Sequence, residues 1–182
     1  MQLKFKASCA EPAMTPLMLA SANSRTRAMK LLIDLGVDVN ERTNKAFTPL
    51  HFAAIHGKIN AVKVLIEMKA DVNAKNRYDW TPLHYAAKYG HAGIIKLLVE
   101  KGAKVGAKGK FSNDRPGTAP SLTALTLAAR NGHVEAVKEL LASGAGANLN
   151  EKDSTGQTAV EAATKNGFKQ VEESLTKFAA SN

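Results

Sequence analysis

The side chains of this chain that are most able to do chemistry are five histidines and one cysteine, and their spacing fits no metal or catalytic site. No two histidines have the H-E-x-x-H spacing that places two zinc ligands on one helix face. Cys9 alone can build neither a cysteine-rich zinc site nor an internal disulfide. No G-x-S-x-G motif or pair of carboxylates stands out. We therefore expect no metal, no cofactor and no catalysis.

The glycine-rich stretch GAKGKF, residues 106–111, has only a superficial likeness to a phosphate-binding loop. It lacks the four-residue gap before Gly109 and Lys110, and Phe111 stands where serine or threonine would hold magnesium. No buried strand is expected before it. We expect no nucleotide and no other small-molecule substrate.

A cluster of aromatic residues is the remaining candidate site. The segment from Tyr78 to Tyr89 holds all three tyrosines and the only tryptophan of the chain. Tyrosine and tryptophan are enriched at protein interfaces and dominate their binding energy. The alternative is that these rings belong to the core, so their placement depends on the elements around them.

Those elements repeat along the chain. One motif recurs at intervals of 33, 33, 42 and 35 residues: TPLMLA from Thr15, TPLHFAA from Thr48, TPLHYAA from Thr81, TALTLAA from Thr123 and TAVEAA from Thr158. A second motif follows the first four copies at similar intervals, as in LLIDLGVDVN from Leu31 and VLIEMKADVN from Val64. Such a period is typical of stacked repeats, which cover each other's apolar faces.

Each unit carries the signals of two short helices. Thr48 is a predicted N-cap, and Pro49 occupies the first helical position, where its missing N–H costs nothing. Gly57 ends this helix, and a second helix follows in each unit. In place of the glycine that ends the second helix elsewhere, one unit has Lys69, for which we predict a positive φ.

These motifs, T-P-L-H and the G-A-D-V-N type of ending, resemble the ankyrin repeat over nearly the whole chain. The resemblance implies an all-α repeat solenoid of five stacked helix-turn-helix repeats with short β-hairpin connections, in a single domain 1–182. It also implies that the motif histidines bond locally, that the two end repeats are caps, and that the insertion 106–122 extends a hairpin. The expected repeats are about 1–40, 41–73, 74–106, 107–150 with the inserted loop, and 151–182.

The resemblance further implies non-catalytic protein binding through a concave face and the hairpin tips. We expect the rings on this face to point outward, and Trp80→Ala to weaken binding with little loss of stability; the alternative is that Phe52, Tyr85 and Trp80 are partly structural. The predicted partner-binding residues are Asn44, Lys45, Phe47, Phe52, Ile55, Arg77, Tyr78, Trp80, Tyr85, Lys88, Tyr89, Leu127, Arg130 and, in the insertion, Phe111.

The charge of the chain indicates what kind of surface its partner has. The formal net charge is +9, and residues 81–122 carry seven basic and two acidic side chains. This balance favours a protein partner with an acidic or mixed surface. Two alternatives remain: a nucleic-acid binder, and a targeting module of a larger effector or enzyme.

The same composition gives expectations about location. No apolar run approaches the ~18 residues that a membrane span needs, and we expect no signal peptide. A single cysteine fits a reducing compartment. We expect an intracellular, cytoplasmic monomer, with a secreted effector as the alternative.

Overall fold

The computed structural model of the protein describes residues 14–110 and 121–181, apart from the side chain of Ala147. Helices and turns make up these two ranges. The helices are α1 (Pro16–Ala22), α2 (Thr26–Asp34), α3 (Pro49–Ile55), α4 (Ile59–Glu67), α5 (Pro82–Lys88), α6 (Ala92–Glu100), α7 (Ala124–Arg130), α8 (Val134–Ala142), α9 (Ala159–Lys165) and α10 (Lys169–Ser181).

The helices stack in two parallel rows, as the periodicity predicts. The inner row consists of α1, α3, α5, α7 and α9, and the outer row consists of α2, α4, α6, α8 and α10. Each inner helix packs on the inner helix of the next unit and on the outer helix of its own. The predicted all-α repeat fold is therefore observed.

The core runs along the stack between the two rows. The largest buried side chains recur at the same place in successive units: Leu17, Leu50, Leu83 and Leu125 in the inner row, and Leu65, Leu98 and Leu140 in the outer row. The predicted alanine pairs, such as Ala86 and Ala87, are fully buried. Their small side chains allow the neighbouring helices to approach closely.

The recurring threonine of each motif precedes an inner helix as its N-cap. Thr15, Thr123 and Thr158 accept a backbone N–H with their hydroxyl oxygens. Thr48 and Thr81 have the extended backbone of an N-cap, and proline follows each of them at the first helical position. The predicted caps are thus confirmed, and they fix where each inner helix starts.

The motif histidines do more than stiffen their own turn. The backbone N–H of Thr48 donates to His51 Nδ1 at 3.1 Å, while His51 Nε2 lies 3.0 Å from the carbonyl oxygen of Trp80 in the next unit. Because a carbonyl oxygen only accepts, Nε2 carries the proton and Nδ1 accepts. His51 therefore links its own helix start to the next unit.

His84 repeats this arrangement one unit further along. Its Nδ1 accepts from the backbone N–H of Thr81 at 3.1 Å, and its Nε2 donates to the carbonyl oxygen of Leu122 at 3.1 Å. Burial lowers the pKa of both histidines to about 4, although the bond to a backbone carbonyl opposes this. Both rings are accordingly neutral at pH 7.

The glycine after an inner helix is required by a close approach as well as by backbone shape. Gly57 has φ +67°, and a Cβ built there would lie 2.7 Å from Cε1 of His91 in the next unit. Gly90 has φ +73°, and a Cβ built there would lie 2.6 Å from Nδ1 of His133. Each of these histidines also bonds a carbonyl oxygen of the preceding unit, His91 to Ile55 and His133 to Lys88.

The departures from the repeat have local consequences. Lys69 adopts φ 68°, which confirms the prediction for this position. The last interval between motifs, 35 residues, is two longer than the basic period of 33, and in this interval the segment Ala145–Asn148 after α8 forms a 3₁₀ turn. At the start of the described stack, the side chains of Leu19, Leu31 and Leu35 are exposed.

The connections between units are tighter than the predicted β-hairpins. Among the described residues, the only β pairing is an isolated antiparallel bridge between Gly109 and Leu122. The turn before α5 instead has the backbone bonds of Asn76 N–H to the carbonyl oxygen of Trp80 and of Asp79 N–H to that of Asn76, both at 3.0 Å. The bridge closes the base of the insertion, and residues 111–120 lie outside the described part.

The buried histidines make stability depend on pH. The unfolded chain binds protons at these side chains below about pH 6.5, whereas the folded chain does so only near pH 4. Stability is therefore full above pH 6.5 and falls as the pH drops to about 4, by roughly 3 kcal/mol or less for each histidine. Denaturant unfolding at a series of pH values measures this slope.

Two variants separate these histidines from others. The double variant His51→Gln/His84→Gln should be less stable at neutral pH and should lose less stability between pH 6.5 and 4. In the control His56→Gln, which changes an exposed histidine, the slope should match the parent. Equal slopes in all three proteins would contradict the assignment.

Candidate partner-binding surface

The turn before α5, residues 76–80, is organised by one buried side chain. Asn76 Oδ1 accepts the backbone N–H of Tyr78 at 2.9 Å and that of Trp80 at 3.0 Å. Its amide Nδ2 donates to the Tyr85 hydroxyl at 2.8 Å. Asn76 therefore fixes the turn and orients a ring of α5 at the same time.

Trp80 is held by the insertion that follows α6. Only 8% of the residue is exposed, and its ring lies 4.9 Å from that of Tyr85 between centroids. The indole Nε1 donates to the carbonyl oxygen of Lys110 at 2.7 Å, and a Cβ on Gly109 would lie 2.4 Å from the ring. The prediction that Trp80 points outward is wrong, because the base of the insertion closes over it.

Three other predicted contact residues are also buried. Phe52 packs against Phe47 with ring centroids 5.7 Å apart, and Leu127 lies within the core between neighbouring inner helices. Burial raises the pKa of the Tyr85 hydroxyl, which a hydrogen bond from Asn76 partly offsets. The expected outward orientation of Phe52, Tyr85 and Leu127 is therefore corrected: each is at most 8% exposed.

Tyr89 and Lys88 remain accessible at the end of α5. Tyr89 is 44% exposed, and Lys88 is half-buried. The Lys88 ammonium nitrogen lies 5.4 Å from the ring centroids of both Trp80 and Tyr89. Cation–π attraction on two sides stabilises this position of the charge.

Arg130, at the end of α7, is placed by a buried carboxylate. Its Nη1 lies 3.0 Å from Oδ2 of Asp153, whose side chain has no exposure. Burial raises the pKa of Asp153, but bonds from the Thr155 hydroxyl and from the backbone N–H groups of Gln157 and Thr155, together with Arg130, hold it below its ordinary value overall. The pair is therefore charged at neutral pH.

These side chains enclose a groove of about 290 Å³ between α5, α7 and the base of the insertion. We call it the central groove. It brings together six of the predicted contact residues and two more. Its lining consists of Tyr78, Trp80, Tyr85, Lys88, Leu127 and Arg130, with Lys110 and Asn131.

The remaining predicted residues lie elsewhere. Phe47, Phe52 and Ile55 line a second groove of about 370 Å³ between α1 and α3, together with residues such as Met14 and Leu19. We call it the N-terminal groove. The ring of Phe47 in this groove lies 5.5 Å from that of Tyr85 in the central groove between centroids, so the rings of the two grooves are in contact.

The predicted residues at the tips of the turns between units form a third group. Asn44 and Arg77 are exposed, and the backbone N–H of Arg77 donates to the carbonyl oxygen of Lys45 at 3.1 Å. This bond joins neighbouring tips. Phe111, which was predicted to contact the partner, lies outside the described residues.

Sequence reasoning missed the residues that hold the turns. Asn76 and Asp153 each accept backbone N–H groups two and four residues further on, and Thr43 accepts that of Phe47 at 3.1 Å. A signal was present, because each stands five residues before a capping threonine. Lys110 was also missed, since its role depends on the fold of the insertion.

The described part of the chain has neither a candidate metal-ligand cluster nor a candidate membrane-spanning helix. Within residues 14–110 and 121–181 there is no group of three or more His, Cys, Asp or Glu side chains that could hold a metal ion. None of the helices in these ranges is both long enough and apolar enough to span a membrane.

With the stack and its grooves established, comparison with known proteins gives the family. A family model described as ankyrin repeats (3 copies) matches residues 17–109 and again residues 110–180. The two matches cover most of the chain, so the protein belongs to the ankyrin repeat family. Proteins of this family are generally protein–protein interaction modules and are typically non-catalytic. Among curated proteins, none matches this chain.

The burial of Trp80 yields a stability prediction. Trp80→Ala removes a packed ring and its bond to Lys110, so it should lower the free energy of unfolding by about 3–5 kcal/mol. The control Tyr89→Ala removes a neighbouring exposed ring and should change it by about 0.5 kcal/mol or less. Guanidinium unfolding followed by circular dichroism compares the two, and equal midpoints would show that Trp80 is not structural.

Proposed function

We propose that this protein is a non-catalytic binding module that holds a partner protein against the inner row of helices and the turn tips. The observation that carries the proposal is the central groove. There, the half-buried ring of Tyr78, a lysine placed by two rings and a buried tryptophan lie between two stacked units, and the exposed ring of Tyr89 lies next to that lysine. Side chains that are already ordered lose little conformational freedom on binding.

The surface around the groove supports a partner with an acidic or mixed surface. Residues 81–122 carry seven basic and two acidic side chains, and Arg77 is exposed beside the groove. Charge complementarity of this kind speeds association and selects partners. A standard interface buries roughly 1,600 Å² in total, which exceeds one groove and therefore includes the neighbouring tips.

The same proposal covers the state and location of the protein. It acts as a monomer, without a small-molecule substrate, inside the cell and most simply in the cytoplasm. The absence of a second cysteine for an internal disulfide supports this location, since a reducing compartment makes such bonds rare.

Site-specific photo-crosslinking tests the proposed face. A photoreactive phenylalanine analogue replaces Tyr89 on the inner side, and the matched control replaces Lys96, which is exposed on outer helix α6. In an extract of the cells that produce the protein, position 89 should give discrete crosslinked protein bands and position 96 should not. Bands only from position 96, or none from either, would contradict the proposal.

The basic excess of residues 81–122 also supports nucleic-acid binding as a second candidate function. The two candidates differ in their dependence on salt, because each neutralised phosphate releases a counterion. A mobility-shift assay at low and physiological salt distinguishes them. Nucleic-acid binding that persists at physiological salt would favour the second candidate, and binding lost there would leave the first.

A further inference from the structure

Lys88 presents a positive charge to the central groove and forms no salt bridge within residues 14–110 and 121–181. Its ammonium nitrogen lies 5.4 Å from the centroids of the Trp80 and Tyr89 rings. Within the described ranges, no carboxylate lies within 4 Å of this nitrogen. The rings orient the charge but do not neutralise it.

The other two cations of the groove already have carboxylate partners. Nζ of Lys110 lies 3.3 Å from Oδ2 of Asp79. Nη1 of Arg130 lies 3.0 Å from Oδ2 of the buried Asp153 side chain. A ligand anion that entered the groove would have to compete with these pairs. Lys88 is therefore the cation best placed to receive one.

Apolar surface lies next to this charge. Leu127 and the half-buried Tyr78 line the same groove as Lys88. The groove volume, about 290 Å³, is at the lower end of the roughly 300–1,000 Å³ of pockets that enclose a drug-sized ligand. The space suits one or two side chains of a peptide that continues across the surface.

We propose that the central groove binds an extended segment of the partner protein in which Asp or Glu adjoins an apolar residue. The carboxylate pairs with Lys88, and the apolar side chain lies mainly against the half-buried ring of Tyr78, because Leu127 in the same lining is only 3% exposed. This inference rests on the proposed function and adds the chemistry of the partner. The basic excess of residues 81–122 complements the acidic segment.

A single carboxylate fits this groove better than a nucleic-acid backbone. Binding to phosphates draws on several cations spread along the strand. In the central groove, two of the three cations are paired with Asp79 and Asp153. One available charge beside an apolar wall matches one acidic side chain and its neighbour.

The test uses defined peptides and the intact chain. A displayed library of random dodecamer peptides is selected against the protein, and the enriched peptides are synthesised. Their affinity is measured from the fluorescence of Trp80, the only tryptophan, which lines the groove. We expect enrichment of Asp or Glu beside an apolar residue.

Charge reversal then assigns the contact. Lys88→Glu should weaken an enriched peptide by about tenfold or more, which corresponds to about 1.4 kcal/mol. Changing the acidic residue of the peptide to Lys should restore binding to the Lys88→Glu protein. The control Lys96→Glu makes the same charge change on α6 and should leave affinity within about twofold. Thermal unfolding verifies that both variants are folded.

Several results would overturn the inference. These are enriched peptides that lack acidic residues, equal losses from Lys88→Glu and Lys96→Glu, failure of the charge swap, or a library that yields no binding peptide. Binding of a single-stranded oligonucleotide that Lys88→Glu abolishes, with no peptide bound, would assign the groove to phosphates instead. Crosslinking at position 89 tests protein binding through the inner face separately. That proposal is therefore retained if crosslinks form but the acidic peptide segment is not selected.

Discussion

No helix pair of this protein can bury both of its faces alone, and the rest of the structure follows from that constraint. Each inner helix covers one side of the previous inner helix, and the leucines between the rows become buried only in the stack. Hydrogen bonds reinforce the contact at fixed points, because His51 and His84 each donate to a carbonyl oxygen in the next unit. Neighbouring units therefore lie in a defined register. This register fixes the shape of the grooves between them.

The central groove is a product of that register and of one irregularity. Its walls come from two units, since Trp80 and Lys88 belong to α5 and its turn whereas Leu127 and Arg130 belong to α7. The insertion between the units contributes the carbonyl oxygen that holds the indole and a glycine that admits its ring. The insertion thus buries a tryptophan that was expected to be exposed and makes it part of the groove wall, while Lys88 lines the groove with the exposed ring of Tyr89 beside it.

Much of the fold could be predicted from the sequence because its signals are local. A threonine before proline caps a helix, and a glycine after it permits positive φ. The placement of the rings could not be predicted in the same way. Whether Trp80 is buried depends on Lys110, thirty positions away, in an insertion without a counterpart in the other units.

The candidate site was likewise only partly accessible to sequence reasoning. The contact positions implied by the ankyrin resemblance include six of the eight residues that line the central groove. They did not indicate that four predicted contact residues, Phe52, Trp80, Tyr85 and Leu127, are buried. The polar side chains that hold the turns, Asn76 and Asp153, occupy a regular position that was not used. Such residues act through backbone N–H groups, so their importance is visible only once the turn is closed.

Hydrogen exchange tests the central claim, that the inner face of a rigid stack grips another polypeptide. Exchange of the intact chain is measured alone and with an excess of the protein captured by crosslinking. We expect slower exchange in the turn at residues 76–80 and around residues 88–91, with α4 and α6 unchanged. Protection confined to α4, α6 and α8 would place the partner on the outer row and contradict the account.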